Sequence, residues 1–197
     1  MKPSTNQSAT ANSTTLSDIK TLRERARINI EGGAVTEGYG ADRAEVIRLL
    51  NEALATELVC VLRYKRHYFT AKGIHSESVK AEFLEHAIEE MVHADRLAKR
   101  ITELGGEPNF SPEGLSERSH AEYVEGDSIN SMIKENLIAE RIAIESYREM
   151  VMYLGEHDPT TQRMLKEILT VEEEQADDLS SLLASMGSEH SEQHQRA

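Results

Sequence analysis

A chain of 197 residues is long enough for one domain with a sizeable core, and its composition requires no second domain. The net charge of −13 argues against a general nucleic-acid binder and favours cations or neutral molecules as partners. Cys60 is the only cysteine, which excludes an internal disulfide and a cysteine-ligated cluster. Because no apolar run approaches membrane-spanning length, we expect a cytoplasmic protein without a membrane partner.

Residues 1–41 are predicted to form a flexible arm and linker. The first 16 residues are rich in Ser, Thr and Asn, with almost no apolar side chains, a composition typical of disorder. A short helix is predicted from Ser17 to about Ile28, followed by a glycine-rich linker. Acidic residues nearly balance the basic ones in this arm, so we expect packing or subunit contacts rather than DNA binding.

Four long helices are predicted within residues 42–187, and residues 188–197 are predicted to be a disordered polar tail. Capping residues and glycines give their bounds as Asp42 to Gly73, Ser76 to Gly105, Asp127 to Gly155 and Asp158 to Gly187. Two connections are tight, whereas the one between the second and third helices is long. The predicted fold class is all-α, an antiparallel four-helix bundle with one long crossover between helices 2 and 3.

Each predicted helix carries one glutamate in an apolar seam that advances in alternating steps of three and four residues. These glutamates are Glu57, Glu90, Glu140 and Glu172, and the same seams contain His86 and Tyr147. Each lies near the middle of its helix, and the middles of antiparallel helices share one level. Carboxylates at one level repel one another, and their charges match two divalent cations. With the imidazole of His93, the set suits Fe²⁺ or Mn²⁺ better than zinc.

The motif from Glu90 to Arg96, Glu-Met-Val-His-Ala-Asp-Arg, and the segment Glu167-Ile168-Leu169 resemble bacterioferritins, within the ferritin-like di-iron carboxylate proteins. The resemblance covers about residues 43–186 and implies a ferritin-like bundle. It implies that Glu57 and His93 are terminal ligands of one iron and that Glu140 is a terminal ligand of the other. Glu90 and Glu172 would bridge the two ions.

Three further residues gain a meaning from this resemblance. Tyr64 matches a tyrosine beside the di-iron centre. Met91 matches a methionine that binds haem b, one from each of two subunits, although an apolar dimer surface explains it as well. Gln175 departs from the pattern, because bacterioferritins have a histidine there. Its amide is a weaker, neutral ligand, so we expect the second iron to be held loosely, with Gln175 a weak ligand or only a neighbour of the ligands.

The resemblance implies a protein that oxidises Fe²⁺ with O₂ or H₂O₂, a ferroxidase, and that stores iron in a hollow shell of identical subunits. Three alternatives stay open at this point. They are a di-manganese or di-iron peroxide-detoxifying enzyme, a Dps-like stress-protection protein, and a bundle that has lost its metal function through Gln175. Only a polar tail follows Gly187 where bacterioferritins carry a fifth helix, which favours the smaller shell of Dps-like mini-ferritins.

Overall fold

The computed structural model describes residues 16–73 and 76–195, with side chains as far as residue 186. Its α-helices are α1 (Ile19–Arg25), α2 (Arg43–Thr70), α3 (Ser76–Glu103), α4 (Leu115–Arg118), α5 (Ile129–Leu154) and α6 (Pro159–Gln195), with a short 3-10 helix at Ile30–Gly32. No strand occurs in the described ranges, so the predicted all-α fold class is confirmed. Within those ranges, no helix combines the length and the apolar character needed to cross a membrane.

Helices α2, α3, α5 and α6 form a four-helix bundle made of two hairpins, α2 with α3 and α5 with α6. The hairpins meet where α2 contacts α5 and α3 contacts α6. Apolar side chains from all four helices fill the interior, and burying each one stabilises the fold by about 1.5–3 kcal/mol. Fully buried examples are Leu54, Phe83, Ile133 and Ile168. The bundle predicted from the sequence is therefore confirmed.

Local capping signals set the starts of the bundle helices. Helix α2 follows Asp42, whose carboxylate accepts hydrogen bonds from two main-chain amides, and α3 begins at Ser76, both as predicted. Helix α5 is capped by Ser128 rather than by Asp127, because Ser128 and Ser131 form a reciprocal capping box. The prediction was therefore off by one residue at this end.

Helix α6 begins at Pro159, as predicted, but it continues through Gly187 to Gln195. The helix end predicted at Gly187 is wrong. A glycine inside a helix costs only about 1 kcal/mol relative to alanine, and no proline follows to stop the helix. Residues 196 and 197 lie outside the described residues. The division of the chain into an arm (1–41), a bundle (42–187) and a tail (188–197) stays a prediction.

The N-terminal unit extends to Gly38. Helix α1 is shorter than the predicted segment from Ser17 to Ile28, and it is capped by Asp18, whose carboxylate accepts hydrogen bonds from two amides of the following turn. Helix α1 has no buried residue. Most of the segment predicted to be disordered, residues 1–15, lies outside the part of the chain that the structure describes.

The long crossover between α3 and α5 is fastened to α2 by buried polar side chains. Arg63 donates hydrogen bonds to Asn136 Oδ1 and to the carbonyl oxygen of Glu122, both at 2.9 Å. His67 Nδ1 lies 3.1 Å from the same Asn136 oxygen, and its Nε2 lies 2.9 Å from the carbonyl oxygen of Glu125. These contacts join α2, α5 and the crossover, and they leave a buried guanidinium beside the bundle interior.

The opposite end of the bundle is held by Asp158, which lies just before α6. Its carboxylate accepts hydrogen bonds from the Arg100 guanidinium at 3.1 Å, the Tyr39 hydroxyl at 2.8 Å and the Thr161 main-chain amide at 2.9 Å. Burial opposes the ionisation of Asp158. The hydrogen bonds from Thr161 and Tyr39 and the charge of Arg100 outweigh this effect, so its pKa lies below the ordinary value of 3.8.

Replacing this carboxylate by an amide, Asp158→Asn, is expected to lower the free energy of unfolding by roughly 2–4 kcal/mol at pH 7, because Arg100 loses its buried counter-ion. The pKa of Asp158 is lowered on folding, so its stabilising contribution is present above pH 3.8 and is lost as the pH falls through the folded value. Urea unfolding at several pH values should therefore show the two proteins converging in acid. The exposed Asp95→Asn is the control, and a difference independent of pH would contradict the assignment.

Candidate metal centre

The six side chains that the sequence predicts as metal ligands or their neighbours all lie inside the bundle. Helix α2 contributes Glu57, α3 contributes Glu90 and His93, α5 contributes Glu140, and α6 contributes Glu172 and Gln175. The four carboxylates are at most 1% exposed. Burial of this kind is rare for glutamates that have no positive partner.

Four of these side chains converge on one point. Glu57, Glu90, His93 and Glu172 each offer one ligand atom, and these atoms lie within 4.8 Å of one another. His93 Nδ1 is 2.8 Å from Glu172 Oε1, 3.4 Å from Glu90 Oε2 and 3.6 Å from Glu57 Oε2. One imidazole nitrogen therefore faces three carboxylates from three different helices.

Many polar atoms of this cluster have no hydrogen-bond partner among the described residues. They are both carboxylate oxygens of Glu90 and of Glu172, Oε2 of Glu140, Nδ1 of His93 and Oε1 of Gln175. The 2.8 Å approach of His93 to Glu172 is an ion-pair contact without hydrogen-bond geometry. Each orphaned buried group costs about 1–3 kcal/mol. A cation bound among these oxygens would remove that cost, because it would use the free lone pairs.

Burial and mutual repulsion perturb the titration of the cluster. Burial, followed by the charges of Glu172 and Glu57, raises the pKa of Glu90 well above 4.5. Burial, followed by the charges of Glu57 and Glu140, does the same to Glu172. For Glu57, burial is outweighed by the close approach of Glu90 and His93 and by the hydrogen bond from the Tyr147 hydroxyl, and its pKa is lowered. Without metal, bound protons thus carry part of the positive charge that the site requires.

His93 has the opposite shift. Burial alone would lower the pKa of its imidazole, but the close approach of Glu57 and Glu90 and the charges of these two carboxylates raise it to about 10. The metal-free site therefore holds a cationic imidazolium at neutral pH. A metal ion that binds Nδ1 must displace this proton, which makes metal binding compete with protons.

Two tyrosines donate hydrogen bonds to the carboxylates of Glu57 and Glu140. The Tyr64 hydroxyl on α2 donates a hydrogen bond to Glu140 Oε1 on α5, and the Tyr147 hydroxyl on α5 donates one to Glu57 Oε1 on α2. His86 Nδ1 lies 3.1 Å from the Tyr64 hydroxyl. The sequence indicated Tyr64 beside the site, but it gave Tyr147 and His86 only as seam residues. The spacing could have indicated Tyr147, because Tyr147 follows Glu140 by seven residues (147 − 140), as Tyr64 follows Glu57 (64 − 57).

The remaining predicted site residues lie outside the four-residue group. Glu140 is buried but bonded to Tyr64. Gln175 donates its amide N–H to Glu89 Oε2 at 2.8 Å, and its own Oε1 is buried without a partner. Met91 is 40% exposed on the outer face of α3, beside the exposed Ile88 and Val92. Its thioether is therefore accessible from outside the bundle.

A bundle in which carboxylates and a histidine from different helices converge on one buried point defines the class of four-helix proteins with a carboxylate-rich metal centre. A family model described as "Ferritin-like domain" matches residues 47–187, and the chain belongs to this ferritin-like family. Glu57, Glu90, His93, Glu140 and Glu172 all lie within the matched residues.

Individual relatives agree with this membership. The bacterioferritin of Desulfovibrio desulfuricans is 33% identical over 135 residues, which cover 68% of this chain and 70% of the relative. A solved structure of Desulfovibrio desulfuricans bacterioferritin, which describes a diiron site, has a TM-score of 0.66 at 27% identity and covers 74% of this chain and 82% of its own.

Two other similar proteins carry different names. A dodecameric thioferritin, a bacterioferritin-related protein from Bacteroides fragilis, has a TM-score of 0.75 at 32% identity, covering 78% of this chain and 92% of its own. A DNA protection during starvation protein from Pyrococcus furiosus is 31% identical over 159 residues, 79% of this chain and 86% of the relative. The predicted bacterioferritin and Dps-like resemblances are thus both found.

The repulsion within the site predicts an unusual stability effect for Glu172→Gln. Folding raises the pKa of Glu172 above 4.5, so this residue lowers the free energy of unfolding at any pH above 4.5. The destabilisation grows with pH and levels off above the pKa of the folded protein. Without metal, in the presence of a chelator, the free energy of unfolding of Glu172→Gln at pH 8 should therefore exceed that of wild type by at least about 1 kcal/mol. Added Co²⁺ should raise the free energy of unfolding of this variant less than that of wild type.

The matched control is Glu174→Gln, an exposed residue two positions along α6. Thermal unfolding with chelator measures the stability without metal, and thermal unfolding with Co²⁺ measures the stabilisation by the ion. If Glu172→Gln behaved like Glu174→Gln under both conditions, the carboxylate of Glu172 would not belong to a strained metal centre.

Proposed function

We propose that this chain binds Fe²⁺ between its four helices, oxidises it with O₂ or H₂O₂ and collects the ferric product in a shell of identical subunits. The observation that carries the proposal is the convergence of Glu57, Glu90, His93 and Glu172, with oxygen atoms that lack hydrogen bonds. Oxygen-rich donors with one imidazole suit Fe²⁺, and proteins of this class use such donors for two iron ions.

The ligand assignment proposed here is the one that the resemblance to bacterioferritins implies. Glu57 and His93 would hold one iron, Glu140 would hold the other, and Glu90 and Glu172 would contact both. The charges support two divalent ions, because four carboxylates balance two Fe²⁺. Tyr64 and Tyr147 would act through Glu140 and Glu57, since each hydroxyl restrains one carboxylate. Such restraints on ligands typically matter 10- to 100-fold for metal affinity or activity.

Oxidation of the pair of ions releases two electrons, which reduce H₂O₂ and two protons to two waters, or O₂ and two protons to H₂O₂. The chain would contribute a buried group of ligand side chains that is shielded from bulk water. It also contributes carboxylates that stabilise the higher charge of Fe³⁺. The second ion would be held less tightly than the first, because Gln175 offers one neutral oxygen.

Self-association is supported by exposed apolar side chains on α2 and α3. Leu62 and Phe69 on α2 and Ile88, Met91 and Val92 on α3 are at least 40% exposed. Apolar side chains on a helix face favour contact with another protein surface. The dodecameric assembly of the Bacteroides fragilis relative supports a small shell for this chain as well.

Haem b is a separate proposal that depends on Met91. A single methionine supplies one axial ligand, so a haem would require the same residue from a second subunit. The exposure of Met91 on an apolar face fits such a shared site. The exposure of Met91 is equally consistent with the alternative role, an apolar contact between subunits without haem.

A peroxide-detoxifying enzyme is the second candidate function, because the same oxygen and imidazole donors accommodate Mn²⁺. Evolution of oxygen from H₂O₂ without growth of a mineral would identify it. DNA protection in the manner of Dps has less support, because acidic residues nearly balance the basic ones in residues 16–38.

The proposal predicts that anaerobically loaded protein binds about two Fe²⁺ per chain and develops ferric absorbance when air or H₂O₂ is added. Glu90→Gln removes the charge of a ligand shared by both ions, so the initial oxidation rate should fall at least about tenfold. Metal analysis and stopped-flow absorbance provide the measurements. Glu174→Gln, with the same change of charge at an exposed site, should oxidise iron like wild type. Unchanged binding and oxidation in Glu90→Gln would refute the proposal.

Restoring an imidazole at the second site gives an independent test. Gln175→His should increase the affinity for the second Fe²⁺ at least about tenfold and leave the first unchanged, because imidazole is a stronger ligand than an amide oxygen. Anaerobic calorimetric titration separates the two binding steps. Gln175→Leu, which removes the amide oxygen, should show no such gain. Equal titrations for the His and Leu variants would mean that this side chain does not face the second ion.

A further inference from the structure

A second group of metal-ligand side chains lies between α3 and α6, separate from the candidate metal centre. Glu82 and His86 are on α3, Asp178 is on α6, and one ligand atom from each lies within 4.8 Å of the others. The group borders a surface groove with a volume of about 320 Å³, lined by Glu82, Asp178, Ser181, Leu182 and Ser185. Solvent and ions can therefore reach the carboxylates of Glu82 and Asp178.

His86 distinguishes this group from a simple cluster of surface acids. Its side chain is only 2% exposed, and its ring packs edge-on against Tyr64, with ring centroids 5.3 Å apart. The ring is thus held in one orientation before any ligand binds. In that orientation its Nε2 faces the carboxylates, with Glu82 Oε2 at 4.0 Å, which is too far for a hydrogen bond.

The hydrogen bonds around Tyr64 determine which nitrogen of His86 carries the proton. The Tyr64 hydroxyl donates its hydrogen to Glu140, so it can only accept from His86 Nδ1. A neutral His86 therefore has its proton on Nδ1 and its lone pair on Nε2. Nothing donates a hydrogen bond to that lone pair within residues 16–73 and 76–186. Histidines that bind metals characteristically have this arrangement, with one nitrogen fixed by a hydrogen bond and the other free.

We propose that Glu82, His86 and Asp178 form an additional binding site for a single divalent cation of the first transition series, such as Mn²⁺, Fe²⁺ or Co²⁺. One imidazole nitrogen and two carboxylate oxygens provide three ligands, and the open groove leaves room for water at the remaining positions. The site lies one helical turn along α3 from Glu90, since 90 − 86 is four. The proposal depends on this geometry and not on the proposed iron oxidation.

The test uses the full-length protein and Co²⁺, located by anomalous diffraction from soaked crystals. A cobalt peak is expected between His86 Nε2 and the carboxylates of Glu82 and Asp178, and Asp178→Asn and Glu82→Gln should each remove it. Calorimetry should show the affinity for this ion reduced at least about tenfold in both variants. Asp177→Asn is the matched control, because Asp177 is the exposed neighbour of Asp178 but is not part of the group.

The diffraction experiment separates this proposal from the proposed function. A second cobalt peak among Glu57, Glu90, His93 and Glu172 should persist in all three variants, which also demonstrates that they fold. If wild-type crystals showed only that peak, or if the groove peak survived in both Asp178→Asn and Glu82→Gln, the additional site would be refuted. A peak at His86 without one at His93 would refute the bundle site instead.

Discussion

The strongest constraint on the structure is the burial of four glutamates inside a helical bundle. Desolvation of a carboxylate costs several kcal/mol even after the protein relaxes, and neighbouring carboxylates add repulsion. The chain offsets part of this cost with two phenolic hydrogen bonds, an imidazolium at His93 and the buried guanidinium of Arg63. Several oxygens still lack a partner. Such a deficit persists in a folded protein when a ligand completes the site, and here the ligand must be positively charged.

The two hairpins are near repeats in their framework but differ in their chemistry. Tyr64 crosses from α2 to Glu140, and Tyr147 crosses back from α5 to Glu57, so each hairpin restrains a ligand of the other. The exchange is symmetric because both tyrosines follow a glutamate by seven residues. The symmetry ends at His93 and Gln175. His93 joins three carboxylates, whereas Gln175 is bonded to Glu89 and has a neutral amide oxygen that is buried without a hydrogen-bond partner. The two halves of the site therefore differ in chemistry, with an imidazole in one half and a neutral amide in the other.

Much of the fold and the glutamate positions could be predicted from sequence because helical periodicity determines which side chains face the interior. Periodicity does not reveal which neighbour a buried side chain contacts. This is why Tyr147 and His86 were indicated only as seam residues, and why Glu140 was not expected to be bonded to Tyr64. The wrong helix end at Gly187 has a different cause. A glycine commonly ends a helix by adopting the left-handed conformation itself, but it can also continue the helix, and composition does not determine that choice.

The surroundings of the buried carboxylates differ between the bundle axis and the interface of α3 with α6. Leu97 and Ile168 each lie one turn from a candidate ligand, and both are fully buried. On the other side, Phe83 and Leu179 belong to an apolar cluster. Apolar layers thus lie above and below the carboxylates along the bundle axis, and a hydrated ion gains nothing by crossing them. Polar side chains instead extend sideways between α3 and α6, where Gln175 meets Glu89 and His86 meets the groove at Asp178. The interface of α3 and α6 is therefore the side of the cluster where polar side chains lie closest to a solvent-accessible groove, whereas both ends along the bundle axis are closed by apolar layers.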